Sequence, residues 1–185
     1  MNRKEYQIGR SRYQYYSDYA GPYYLTCTTI QWMALFGIPD ITKNLIDSLS
    51  FMIEHDRIEL HGFVVMEHHL HLVASGRLLS KETGIFKSYT ARMIIDYLEQ
   101  HHYTTILKQM RFFKKQHKKE QEYQVWEEGS HPQLLIDRKI LNQKLNYIHY
   151  NPVRSGYIDD PLNWRYSSYR HYMGKECILP ITMLD

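Results

Sequence analysis

A chain of 185 residues is the size of one domain and can bury a core without disulfide or metal staples. Two distant cysteines, Cys27 and Cys177, exclude a disulfide framework or a cysteine zinc site and fit a reduced, cytoplasmic protein. No run approaches the roughly 20 apolar residues that span a bilayer, and Met1-Asn2-Arg3-Lys4-Glu5 leads into polar sequence, so neither a membrane nor export is expected. The net charge of +3 is too small to argue for a polyanionic partner by itself, which leaves the distribution of charge to decide.

Residues 1–22 read as a tyrosine-rich arm, with Tyr6, Tyr13, Tyr15, Tyr16 and Tyr19 ahead of Tyr23 and Tyr24. Stacking on bases and a poorly ordered arm are both compatible with it. Residues 23–185 are expected to form a single domain. Tyr24 to Trp32, rich in Thr, Ile, Tyr and Trp, predicts a strand. From Ile41, Leu45, Leu49, Met52 and Ile53 recur at helical spacing, with Asp40 as the expected cap. Ile58 to Met66 and His69 to Ser75 predict two strands joined by Glu67-His68, which makes them an antiparallel hairpin. A helix is expected over Ile85 to Leu98, where Phe86, Tyr89, Met93 and Tyr97 share a stripe and Lys87 and Arg92 lie on the other side. Tyr123 to Trp126 could form a further strand before the Gly129-Ser130-His131-Pro132 loop. A last helix starts near Arg138, buries Leu141, Leu145 and Ile148, and is expected to end at Pro152. This mixture predicts an α+β fold, an antiparallel sheet with helices packed on one side.

Lys108, Arg111, Lys114, Lys115, Lys118 and Lys119 cluster around Phe112 and Phe113, and Arg154, Arg165 and Arg170 lie among Tyr157, Trp164, Tyr166 and Tyr169. Cation beside aromatic is the composition of a single-strand binding surface, although the lysine run fits a solvated helix face equally well. Lys87, Arg92, Lys114, Lys115 and Arg154 are the candidate DNA contacts.

A strand's period of two puts His69 and His71 on one face, about 7 Å apart, and Leu70 and Leu72 on the other. With 11 histidines among 185 residues a His-x-His pair is expected by chance roughly 0.65 times, so the pair alone is weak evidence. On the last helix, Asn151 returns to within roughly 40° of Tyr147 and away from the leucine stripe. A phenol with a pKa near 10 is a poor nucleophile at neutral pH and needs a base or a metal-polarised electrophile. Two imidazoles and an amide oxygen could hold such an ion and leave positions open for phosphate and water. Ordinary strand histidines and a core tyrosine among 17 are the plainer alternatives.

Met66-Glu67-His68-His69-Leu70-His71-Leu72 resembles the signature of the HUH single-tyrosine transposases, and Tyr147-Ile148-His149-Tyr150-Asn151-Pro152-Val153-Arg154-Ser155-Gly156 resembles the helix motif of their REP-associated branch. Further similarity lies in Phe86 to Arg92, Val125 to Pro132 and Trp164 to Tyr169. Glu67 and His68 depart from the Pro and Asn or Asp common in that family, and His68 could compete for metal. The resemblance implies a ferredoxin-like sheet, single-stranded or hairpin DNA as partner, and a divalent ion, Mg2+ or Mn2+. It makes His69, His71 and Asn151 the ligands and Tyr147 the nucleophile of a transesterification through 5′-phosphotyrosine, in a monomer or homodimer. A nuclease using water on the same histidines, or a domesticated hairpin-binding protein that does not cut, remain as alternatives.

Overall fold

A computed structural model describes residues 21–184. The tyrosine-rich arm expected over 1–22 lies almost wholly outside the described residues. Four strands, β1 (Tyr23–Thr28), β2 (Glu59–Val65), β3 (His69–Ser75) and β4 (Gln133–Leu134), form one sheet in the order β2-β3-β1-β4. All pairings are antiparallel. Helices α1 (Pro39–Glu54), α2 (Leu79–Gln100) and α3 (Thr104–Phe113) interrupt the strands, and α4 (Arg138–Arg154) and α5 (Tyr169–Tyr172) follow them. Up to β4, with α3 as an addition, this is the β-α-β-β-α-β plan of a ferredoxin-like fold.

Alternation along the strands divides the core in two. Leu25 and Cys27 of β1 and Leu70, Leu72 and Ala74 of β3 face α1 and α2, where Ile41, Leu45, Leu49, Phe86, Ile94 and Leu98 complete the larger cluster. Tyr24, Val64 and Val73 face the opposite way and meet Leu141, Leu145 and Ile148 of α4. The sheet is therefore covered on both faces, with α4, joined by Trp164 and by Tyr172 of α5, on the face shared by His69 and His71. The expected stripe of α4 is the buried one, each side chain contributing about 1.5–3 kcal/mol by leaving water.

Several boundaries differ from the sequence reading. Proline opens α1 at Pro39, and Asp40 lies inside the first turn instead of capping it. The buried face of α2 runs through Leu79, Thr83, Phe86, Thr90, Ile94 and Leu98, whereas Tyr89 of the expected stripe is exposed. Thr83 and Thr90 can face the core because their hydroxyls donate to the carbonyls of Leu79 and Phe86, both at 2.7 Å. The strand expected to reach Trp32 stops at Thr28, because Gln31 and Trp32 adopt left-handed backbone at φ +50° and +55°. That geometry costs a residue with a Cβ roughly 1–2 kcal/mol, and surrounding contacts must hold it. Tyr123 to Trp126 forms no regular strand, only an isolated bridge from Trp126 to Thr29. Finally, α4 runs past Pro152 to Arg154. In the last turn proline removes few helical hydrogen bonds, and Ser155 N–H still donates to Asn151 O at 3.0 Å.

The open edge of β2 is covered by the 164–168 segment. Val65 N–H donates to Tyr166 O at 2.9 Å, Ser168 N–H to Phe63 O at 3.0 Å, and Trp164 Nε1–H to Val65 O at 3.0 Å. His149 of α4 is tied to the same place, its Nε2 lying 2.9 Å from Ser168 Oγ. Opposite, the bulge between Leu60 and Gly62 brings Gly62 against α4, where an added Cβ would lie 2.5 Å from Leu145 Cδ2. Gly62→Val is expected to lower stability by about 1–3 kcal/mol through overpacking, read as a fall of several degrees in Tm. An unchanged Tm would mean that α4 can lift off the sheet without cost.

Candidate active site

The site lies between β1, β3 and α4. Register pairs Thr26 of β1 with His71 and Thr28 with His69. Tyr24 and Thr26 project to the same face as the histidines, placing Tyr24 Oη 2.8 Å and Thr26 Oγ1 3.0 Å from His71 Nδ1. With its proton on Nδ1 and donated to one of these oxygens, His71 keeps its Nε2 lone pair for a cation, the orienting arrangement usual around metal-binding histidines. His69 Nδ1 faces His68 Nδ1 at 3.4 Å. The rings of His69 and His71 converge to 4.6 Å between centroids, closer than their spacing along the strand.

Burial keeps both rings neutral. The His71 pKa is pushed down to about 3, first by loss of water and then by His69, and that of His69 to about 4, by loss of water and then by His68. Neutral imidazole is the form that ligates a metal, so the pair suits one. His68, the possible competitor, lies between Trp32 and the pair, its ring centroid 4.9 Å from that of Trp32 and 4.7 Å from that of His69.

Helix α4 brings Tyr147 to this pair. Its ring centroid is 5.6 Å from that of His71, edge-on, and the side chain stays exposed. Two tyrosines thus meet His71, and they are not equivalent. Tyr24 is buried with its hydroxyl bonded to the imidazole, whereas the Tyr147 hydroxyl has no hydrogen-bond partner among the described residues. Asn151, one turn further along α4, is buried and its Oδ1 accepts a long 3.5 Å bond from Ser155 Oγ. It is not hydrogen-bonded to either histidine among the described residues. Nor, among those residues, do three His, Cys, Asp or Glu side chains gather to hold a metal, so a third protein ligand would have to be another donor such as this amide.

Two cations complete the surroundings. Arg154 Cζ lies 5.3 Å over the Tyr147 ring, and Lys144 Nζ 4.5 Å over the Tyr24 ring. Sequence reasoning named Arg154 and missed Lys144, whose spacing of three residues before Tyr147 places it on the same side of α4. Tyr24 and Thr26 were missed as partners of His71 because only the pairing of β1 with β3 brings them there.

The other candidate DNA contacts lie elsewhere. Lys87 donates to the carbonyls of Glu127, at 2.7 Å, and Gly129, and so pins the 125–130 segment to α2; burial lowers its pKa. Arg92 pairs with Asp96 on the outside of α2. Lys114 donates to the carbonyls of Lys118 and Gln121, and Lys115 pairs with Glu127 and Glu128 at 3.6 and 3.2 Å. The basic segment after α3 is therefore partly balanced by its own acidic neighbours.

In its sequence and fold the chain is similar to tyrosine transposases. More narrowly, the chain is similar to the REP-associated tyrosine transposases. A Haemophilus influenzae protein named as one is 31% identical over 116 residues, which are 63% of this chain and 61% of that protein, so the match spans less than two thirds of that relative's length. A solved REP-associated tyrosine transposase bound to a REP hairpin shares the fold, with a TM-score of 0.62 at 16% identity over 95% of this chain and 94% of that one. No family model matches the chain.

Proposed function

We propose that this chain is a metal-dependent single-stranded DNA transesterase, a transposase that cuts and rejoins strands at hairpin-forming sites through a 5′-phosphotyrosine. The observation that carries this reading is an exposed tyrosine on α4, its hydroxyl without a hydrogen-bond partner among the described residues, whose ring meets His71 of a pair of neutral, converging histidines. Hairpin DNA as the partner is supported by the hairpin bound in the structure of the similar transposase.

His69 and His71 would hold the ion with Asn151 as third ligand, Mg2+ or Mn2+ being the expected metals. When bound, such an ion supplies positive charge that polarises the phosphodiester and offsets charge developing on it. The chain's own groups do the rest. Tyr24 and Thr26 fix the His71 ring, while Lys144 and Arg154 provide charge for flanking phosphates. Tyr147 Oη attacks phosphorus and loses its proton to solvent, the bond from phosphorus to the 3′ oxygen breaks, and that oxygen takes a proton from solvent and leaves as a 3′ hydroxyl. One phosphodiester replaces another, so a 3′ hydroxyl from a second strand can reverse the step into joining.

The test is incubation of the protein and Mn2+ with labelled single-stranded hairpins flanking its own gene, followed by denaturing electrophoresis. A label that migrates with the protein after denaturation is the expected result. Cleavage without such an adduct would convict water as the nucleophile, and binding without cleavage would leave a hairpin-binding protein.

A further inference from the structure

We infer that Trp32, backed by His68, is a stacking platform for a base that flanks the phosphate held at His69 and His71. This rests on the reading that the site acts on single-stranded DNA.

Trp32 is one of three tryptophans, and it is the open one. Trp126 is buried and Trp164 donates its indole N–H to the chain, while Trp32 is 65% exposed and its Nε1 has no partner among the described residues. A single exposed apolar side chain on a loose loop would mean nothing. This one is built into place. Buried Thr29 donates its backbone N–H to His68 O at 3.0 Å, and its hydroxyl lies within hydrogen-bond reach of both His68 O and Met33 O. Ile30 N–H donates to Val125 O at 2.7 Å, Gln31 N–H to Glu127 Oε1 at 3.3 Å and Trp32 N–H to Thr29 O at 3.1 Å. These bonds hold the two left-handed residues, and the product of that strain is an indole held out from the surface beside the site.

Its location gives it a use. The indole centroid is 4.9 Å from that of the His68 ring and 6.3 Å from that of His69, so the exposed ring adjoins the proposed phosphate position. Glu127, which receives Gln31 N–H, is itself paired with Lys115, so its negative charge beside the platform is offset. Aromatic faces are how unpaired strands are held, because every base has a face to stack. Stacking the flanking base would fix the strand and stop the target phosphate from sliding past Tyr147.

The experiment pairs variants with an abasic scan. Affinity is measured by fluorescence anisotropy for wild type, Trp32→Ala and Trp32→Phe on labelled single-stranded hairpins flanking the gene and on oligothymidylate, in the absence of metal so that nothing is cut. The scan replaces one nucleotide at a time beside the hairpin with an abasic residue. Trp32→Ala is expected to weaken binding about tenfold or more, with Trp32→Phe retaining most of the affinity and Tm unchanged in both. One abasic position should weaken wild type by a similar factor and have no further effect on Trp32→Ala. Wild-type affinity in Trp32→Ala, or losses from variant and abasic position that simply multiply everywhere, would overturn the inference. DNA bound with this pattern but no covalent adduct formed with Mn2+ would remove the transesterase reading and leave the platform standing.

Discussion

Tyr147→Phe is expected to abolish the covalent adduct and lower cleavage by roughly a thousandfold or more, because the oxygen proposed to attack phosphorus is gone. Folding should change little, since that hydroxyl has no hydrogen-bond partner among the described residues and the ring is exposed; a stability change within about 0.5 kcal/mol is expected. Hairpin affinity should also persist, because ring and neighbouring cations remain. Tyr24→Phe is the informative companion. Tyr24 reaches the same histidine from a buried position, so its loss should reduce activity by about 10–100-fold while the adduct still forms. The measurement is adduct yield against time by denaturing gel, beside anisotropy and thermal unfolding. Adduct formation surviving in Tyr147→Phe but lost in Tyr24→Phe would assign the nucleophile to the wrong tyrosine here.

His69→Ala or His71→Ala should each bring metal-dependent cleavage to background, and Asn151→Ala should only weaken it and recover in part with more manganese. The asymmetry follows from donor strength. A neutral imidazole is a strong ligand with no ready replacement, while an amide oxygen is weak and water can take its place. Calorimetric titration of Mn2+ in the presence of DNA separates loss of binding from loss of chemistry. Undiminished ion binding in both histidine variants would show that the metal sits elsewhere, and equal, unrescued loss in all three would make Asn151 more than a replaceable ligand.

The parts of this site legible in the sequence are those with local periods. Strand β3 begins and ends where its apolar run does, and its alternation puts His69 and His71 together on one face. The leucine stripe of α4 similarly leaves Tyr147 on the open side. What was illegible depends on distant or disguised partners. The buried face of α2 includes two threonines whose polarity is hidden by bonds to their own helix, so an apolar count displaced the stripe. Helix α3 buries only Leu107 and Met110, and its cationic side chains masked the period. Nothing near Tyr24 or Thr26 announces His71, since the sheet register alone brings them within hydrogen-bond distance. The face occupied by α4 was equally hidden, being settled by the Gly62 bulge and the Ser168 tie.

Under the proposed mechanism, a single tyrosine, Tyr147, beside the pair of histidines would constrain how a DNA segment with two ends is moved. Such a chain would carry one severed end at a time, its nucleophile occupied until another strand accepts that end. Excising a segment would then take either two chains working side by side or two successive rounds by one. In both cases the retained end would be stored as a bond to protein, out of reach of enzymes that trim or ligate free termini.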